Sequence, residues 1–423
     1  MEYFKSQLDS LNNQWTHEPE KMMHLRNSAL EQFLQMGLPN KHWEDWQFTD
    51  FSPFDKTKFR ISSADDVKDI DKYHTQSFAD SFSIIIINGH YQPQLSHVPN
   101  GVTIRTLFDV FIKDEKADLS YSEENPFIAL NTSLMNCGLV VDVSDGIQID
   151  KPIHYQFIST GIEDNIMNHP RLLIRLGENS STEIIEHYKC ESTSLYWNNC
   201  VTVCELGKNG ELHHTRIQED TGYHTGNIEY HLQNDARLNT LFFNSGTELY
   251  RGDVNISFNG QNASAELNGL SLLKNNQHMD MRVIVDHAYP HCTSNQLFKY
   301  ILDDKSTGVF NGRVIVQKDS QKTDSSQSNK NLLLSKSSSI NSNPQLEIYA
   351  DDVKCSHGCT IGQLDDNALF YMRSRGIRKK EAGAVLTYAF ASEAVNNMSI
   401  PEVKKMAQKL IAEKLNVDLD FNL

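Results

Sequence analysis

The strongest apolar run in this sequence is Ile84–Ile87, inside SFSIIIING, and four residues cannot span a bilayer that needs about twenty. It reads as a strand, and no membrane partner is expected. Positive charge is also scarce. Lys and Arg total 39 against 55 Asp and Glu, a formal net charge of -16, which leaves no general surplus to neutralise phosphates and argues against a nucleic-acid partner. Familiar catalytic signatures are missing too. There is no GxxxxGK[ST] phosphate loop, no GxSxG elbow, no Rossmann glycine triplet opening a βαβ unit, and no HExxH. The seven cysteines, at 137, 190, 200, 204, 292, 355 and 359, are an odd count in a chain too large to need staples. The opening MEYFKSQLDSLNNQW is polar and patterned rather than a basic patch followed by an apolar run. Free thiols in a reducing cytoplasm are therefore expected.

What is present falls into three parts. Residues 1–80 read as a helical region. Leu8, Leu11 and Trp15 recur at helical spacing, Leu25, Leu30, Phe33 and Leu34 do so again, and Gly37-Leu38-Pro39 stops the pattern. In the following KHWEDWQFTDFSPF, Trp43, Trp46 and Phe48 are expected to be docking anchors for this arm. Residues 81–350 carry short β-branched and aromatic runs such as GVTIRTL, GLVVDV, RLLIRL, VTVCEL and MRVIVDH, separated by LGENSS, LGKNGE, NSGTE and FNGQNAS. The run is too long for one ordinary sandwich. A β-solenoid explains it better, because each coil buries its apolar face only against its neighbours. Asn and Ser between the runs fit corners, where they satisfy nearby backbone groups. The Ser/Asn/Lys-rich stretch 320–343 is an excursion or the last coils, since Leu332–Leu334 must pack. Residues 351–423 turn helical, with segments Leu364–Gly376 and Glu381–Val395, and a capping box Ser399–Glu402 ahead of a final helix, Met398 serving as staple.

The densest cluster of chemically able residues is Cys355, His357 and Cys359, in DDVKCSHGC at the junction of β body and helices. In an extended stretch the three share one face. Two thiolates and an imidazole suit zinc, copper or iron, but CxHxC is not the spacing of a closed structural zinc site, and a packed polar turn with inert thiols is the equal alternative. In Asp286-His287-Ala288-Tyr289-Pro290-His291-Cys292, a buried, hydrogen-bonded histidine at a corner is the expectation, ahead of a mononuclear metal site. Cys200 and Cys204 are expected to be a core thiol pair. The enzymatic alternative is a β-helix polysaccharide lyase or hydrolase. It needs paired carboxylates on one groove, and Asp253, Glu266, Asp280 and Asp286 offer no clear set.

The stretch PQLEIYADDVKCSHGCTIGQLDDNALFYMRSRGI at 344–377 resembles the signature of the SufB/SufD family of iron–sulfur cluster assembly proteins. So do VDHAYPHCTSNQLFKYILDDKSTGVFNGRVIV at 285–316, QKTDSSQSNKNLLLS, and, near the start, GLPNKHWEDWQFTDFSPF at 37–54. The resemblance implies an all-β core, a right-handed parallel β-helix flanked by N- and C-terminal α-helical domains, with a scaffold rather than a catalyst's role. It favours the SufD type. Where SufB-type chains carry a cysteine before the leucine-rich element, this chain reads Ser328-Asn329-Lys330-Asn331-Leu332-Leu333, and where they tend to have a glutamate after the late histidine it has Gly358. The implied partners are a SufB-like paralogue, paired through the late coils, and a SufC-like ABC ATPase, docked around residues 364–395, which fits the missing phosphate loop. The implied cargo is a transient iron–sulfur cluster shared with the paralogue, with His357 and Cys355 as ligands from this side. Cys359 stands where the family commonly has alanine, as an extra ligand or, as expected here, a small buried residue.

Overall fold

Strand alternation is the organising signal, and the chain resolves it by stacking. The computed structural model describes residues 2–14, 18–68, 70–73, 78, 80–113, 125–160, 165–191, 194–396, 398, 400–415 and 417. Helices α1 (Glu2–Gln14) and α2 (Glu20–Met36) come first, followed by the short α3 (Ser52–Thr57), α4 (Leu107–Ile112) and α5 (Pro126–Leu134). The C-terminal helices are α6 (Asp366–Ser374), α7 (Lys379–Asn396) and α8 (Pro401–Lys414). Between them two sheets form the walls of a flattened parallel β-solenoid. One wall runs in spatial order from Cys137–Val143 through every second strand to Ser339–Ile348, and the other from Ile153–Ser159 to Lys354–Gly362. The ladder thus continues beyond residue 350, and the Ser/Asn-rich stretch supplies Asp324–Leu333 and the start of Ser339–Ile348 as true coils.

The repeat is ragged in length, which is why no period is visible in the sequence. Tyr223 stacks on Leu249 in one layer, while Thr307 stacks on Ser339 in another. Corners hold the register. Asn179, Asn209, Asp235, Asn262, His291 and Lys322 stand one per layer with positive φ, a conformation that Asn and Asp tolerate best among residues with a Cβ. The Asn209 amide donates to Asn179 Oδ1 at 2.9 Å, and Asn262 to Asp235 Oδ1 at 2.8 Å. The expected polar corners are present. His291 is a corner residue of this series, exposed and far from being a ligand.

Inside, side chains such as Leu212, Ile228, Leu238, Ile256, Leu267, Val285 and Phe310 form one continuous core. Each outer face is covered separately. Over the first wall, Phe4, Leu8, Leu30, Phe33, Trp46, Phe51, Phe54 and Phe127 pack on Trp197, Tyr223 and Leu249. Trp46 is an anchor as expected, but Phe48 is not, being 48% exposed; Trp15 lies outside the described residues. Over the second wall, Ile185, Ile217, Phe243, Leu270 and Leu332 meet Tyr388, Ala391, Val395, Val403 and Ile411 of α7 and α8. The last helix departs from expectation at its start. Pro401 takes the first helical position, so Ile400 becomes the cap and makes no side-chain cap bond. Ser399 lies outside the described residues, and Met398 is buried in the same cluster.

The N-terminal cover is also tied electrostatically. Arg251 is buried beneath Trp46, its guanidinium 4.1 Å from the ring centroid. It donates to Asp253 Oδ1 at 2.8 Å, Asp280 Oδ2 at 2.7 Å and the Asp45 carbonyl at 2.9 Å, while Thr49 donates to Asp280 Oδ2 at 2.6 Å. Removing one partner of such a cluster strands the others in a dry site. Arg251→Met is expected to cost about 3–5 kcal/mol of unfolding free energy, read by urea unfolding. An unchanged midpoint would mean water reaches the two aspartates.

Candidate functional site

The strand Lys354–Gly362 lies in parallel register on Asp324–Leu333, with Cys355 opposite Ser325, His357 opposite Gln327 and Cys359 opposite Asn329. One layer deeper these columns continue as Ser294, Gln296 and Phe298, and then as Ala265, Leu267 and Gly269. Ser325, Gln327 and Asn329 are buried, so the columns face the interior and the Cys-x-His-x-Cys series continues them at the rim. The alternative of a packed turn is corrected: the segment is a strand. Across the mouth, Ile340, Ser342 and Pro344 stack on Gly308, Phe310 and Gly312. Gly312 makes room for a crossing side chain, since a Cβ there would sit 2.3 Å from Gln327 Nε2.

Chemistry changes along these columns. Apolar side chains fill the deeper layers, but the last ones carry a polar shelf. Ser294 and Ser325 hydroxyls lie 2.9 Å apart, Gln327 Nε2 donates to Gln296 Oε1 at 3.2 Å, and Ser342 Oγ donates to Asn329 Oδ1 at 2.7 Å. Asn331 Nδ2 donates to Asn329 Oδ1 at 2.6 Å and to the Thr360 carbonyl at 3.0 Å. Gln327 Oε1 and Asn331 Oδ1 are buried without a partner, although buried polar groups are ordinarily paired. On the rim His357 is exposed and Cys355 half-buried against the core. Burial and the Asp324 carboxylate push the Cys355 thiol up from its ordinary value. Cys359 is exposed, with Sγ 3.1 Å from Ser342 Oγ. It is not the small buried residue expected. Among the described residues no three His, Cys, Asp or Glu side chains converge closely enough to hold a metal ion.

The other sequence candidates are structural. His287 is buried, hydrogen-bonded to Ser294 Oγ at 2.8 Å and stacked on Phe258, and burial lowers it to about 3. Cys292 Sγ faces the Gly260 carbonyl at 3.3 Å. Cys200 and Cys204 are core thiols as expected, Cys200 being pushed up to about 12 by burial. The carboxylates weighed for the lyase or hydrolase alternative are engaged elsewhere. Asp253 and Asp280 are locked around Arg251, Glu266 accepts from Asn295 at 2.7 Å on the other wall, and Asp286 accepts from Gln317 at 2.9 Å.

At the C-terminal end, α6 presents Phe370 and Tyr371, 74% and 60% exposed, while α7 and α8 are packed on the wall. The α6 start is capped by Asp365, whose Oδ1 accepts from Asn367 N at 2.9 Å, and Gly376 follows its end at positive φ. Glu393 of α7 pairs with Lys299 at 2.5 Å and Lys330 at 3.1 Å, on the two strands below the rim. Among the described residues no helix is long and apolar enough to cross a membrane.

The family described as SUF system FeS cluster assembly, SufBD core domain, matches residues 157–390, and the SufBD protein N-terminal region matches residues 1–155. The chain is 30% identical to the iron–sulfur cluster assembly protein SufD of Escherichia coli, over 95% of this chain and 96% of that protein. It is 29% identical to a SufBD family iron–sulfur cluster assembly protein of Synechocystis, over 93% of this chain and 91% of that one.

Sequence reasoning missed a charged cluster in mid-solenoid. On ELHHTRIQ, His214 and Arg216 alternate inward, and on STEIIEHYKC Glu186 does the same, so charge occupies positions that alternation assigns to the core. Glu186 accepts from Thr202 Oγ1 at 2.7 Å and Tyr188 OH at 3.1 Å, with Arg216 Nη1 at 3.7 Å. Burial pushes the Glu186 carboxyl up, but His214, Arg216 and Thr202 together outweigh it and hold it at about 2, against an ordinary 4.5. A depressed carboxyl contributes stability that is complete above its unfolded value and is lost as pH falls through the folded one. Acidification from about pH 4.5 to about pH 2 should therefore remove on the order of 3 kcal/mol through this group. Glu186→Gln is expected to be less stable at neutral pH with a flatter acid limb, read by urea unfolding at several pH values. An equally steep limb would assign the loss to other carboxylates.

Proposed function

The chain belongs to the SufBD family, and from that premise we propose that it is a SufD-type scaffold subunit in iron–sulfur cluster assembly. It pairs end to end with a SufB-like paralogue and carries a SufC-like ATPase on its C-terminal helices, in a cytoplasmic complex that acquires iron and builds a nascent cluster. The observation that carries this reading is the open end of the solenoid. Among the described residues Ser339–Ile348 and Lys354–Gly362 each pair on one side only, and their outer edges lie beside Ile348, Tyr349 and Ile361, the last two 61% and 52% exposed. Exposed edges of this kind are liabilities unless covered, and a paralogue with the same cross-section is the cover that fits. The cluster is cargo at that junction. His357 and Cys355 are candidate ligands from this side, with thiolate or carboxylate from the partner completing the set.

The division into a helical region 1–80, a β-helix core 81–350 and an ATPase-docking C-terminal region 351–423 belongs to the same proposal, with the last solenoid strand, Lys354–Gly362, counted to the core and not to the dock. Support for the dock comes from α6, whose Phe370 and Tyr371 are 74% and 60% exposed, Tyr371 meeting Arg375 of its own turn. Truncation at 364 is a poor test, because it would uncover Ile185, Ile217, Phe243 and Leu270. The double variant Phe370→Ala, Tyr371→Ala leaves that packing intact. It is expected to weaken ATPase co-purification by tenfold or more, as loss of an aromatic anchor pair does, without changing the unfolding midpoint. Undiminished ATPase capture would move the dock elsewhere.

Anaerobic co-purification with SufB-like and SufC-like partners tests the cargo role. His357→Ala is expected to assemble normally and to lose iron and sulfide from the complex. Unchanged iron and sulfide would make this subunit an architectural arm.

A further inference from the structure

Beside the Trp46 hook lies a groove that the scaffold role does not use. Gln47 and Phe48 form one bank, and the outer face of the last three strands of the first wall forms the floor. The groove measures about 270 Å³. A second hollow, about 610 Å³, is lined by Leu38, Pro39 and Phe51 together with Lys41, Asp50 and Asp55. Both are bounded by Gln47 and Phe48, so the exposed Phe48 ring is shared between them.

The floor is a lattice of amides. Asn311 stands beside Asn343, and Arg313 beside Gln345, in parallel register. Along Ser339–Ile348 the outward positions are Asn341, Asn343, Gln345 and Glu347, because Ile340 and Leu346 pack on the core. Asn311, Asn341, Asn343 and Gln345 all line the groove and make no side-chain hydrogen bond to any described residue. Each offers a carbonyl acceptor and an amide donor. Outward residues of one strand repeat every ~6.7 Å, which is also the repeat of an extended polypeptide. A peptide lying along Ser339–Ile348 therefore presents the same backbone group to each of them in turn. In complexes of this kind main-chain hydrogen bonds supply affinity, and alternate side chains supply specificity.

Charge selects the kind of peptide. Arg282 is held by Asp45 at 2.7 Å and Arg313 by Glu347 at 2.6 Å, so both guanidiniums are already neutralised. Glu44 lines the same groove, is exposed, and forms no ion pair among the described residues. Over the two hollows five carboxylates, on Glu44, Asp45, Asp50, Asp55 and Glu347, stand against three cations, Lys41, Arg282 and Arg313. A cationic occupant is favoured over an anionic one.

We propose that this groove binds an extended segment of a partner protein that carries a lysine or arginine for Glu44 and an apolar side chain for Phe48. Its backbone runs along Ser339–Ile348 and pairs with the amide lattice. The surface is the outer face of the wall and not the edge on which a paralogue would stack, so this inference stands apart from the scaffold reading.

An immobilised array of dodecapeptides, each with a central lysine and varied flanks, is probed with the full chain, beside twins that carry glutamate instead. The strongest lysine peptide, resynthesised with a fluorophore, is then titrated by polarisation. Affinity is expected to fall at least about tenfold in Phe48→Ala and in the double variant Asn341→Ala, Asn343→Ala, with the urea midpoint unchanged. Glu44→Lys should weaken the lysine peptide and restore its glutamate twin. Proline at alternate positions of the peptide, which removes backbone donors, should abolish binding to the unaltered protein. The proposal is overturned if no lysine peptide outbinds its glutamate twin, or if binding ignores Phe48→Ala or the asparagine pair. Displacement of the peptide by maltohexaose would overturn it too, by assigning the lattice to a glycan.

Discussion

A parallel β-ladder has to end somewhere, and how each end is closed governs the rest of this molecule. Among the described residues the interior strands of each wall exchange hydrogen bonds on both sides, and the unpaired edges lie at the two ends of the ladder. At the beginning the problem is solved within the chain. Phe82–Ile87 pairs antiparallel with His90–Tyr91, and Cys137–Val143 pairs antiparallel with Val102–Thr106. At the other end no such strand appears among the described residues. The asymmetry gives the rod a closed end and a mouth, and the residues with soft-ligand chemistry stand on the mouth.

Covering layers then give the rod its two working surfaces. The N-terminal helices and the Trp46 hook seal one wall, with Arg251 buried as a charged rivet between them. The C-terminal helices seal the other wall and leave α6 projecting. Glu393 links α7 to Lys299 and Lys330, and Lys330 shares its strand with Gln327 and Asn329 on the polar shelf. A rigid parallel ladder transmits displacement along its strands better than it bends. A load applied to the helices therefore reaches the layer on which His357 and Cys359 rest, the connection that the proposed ATPase-driven role calls for.

Much of this was legible in the sequence because solenoid strands write their alternation plainly and their corners in Asn, Asp and Gly. The helices at both termini followed from spacing and from Gly37 and Gly376. What stayed hidden has physical reasons. Interior charge at Glu186, His214 and Arg216 looks like surface alternation until the opposite wall shows where inward lies. Phe48 reads as an anchor beside Trp46, yet neighbouring positions of a turn point opposite ways. Pro401 displaced the helix cap by one residue from the serine that composition favoured. Cys359 resembled filler because its spacing from Cys355 was visible and its exposure was not. Only the register with Asn329 and Ser342 turns a third cysteine into part of a mouth.

An incomplete site is what the proposed role, with a transient cluster as cargo, requires. A closed set of four protein ligands fixes geometry and holds its metal as part of the fold. Two ligands on an open rim bind far more weakly, and their grip rises only when a second chain adds its own. On that proposal affinity depends on the junction: tight when the two ends are together, weak when they part. The fold thus places its exposed thiol and imidazole beside unpaired backbone edges in the last coil, where the proposed partner would complete both.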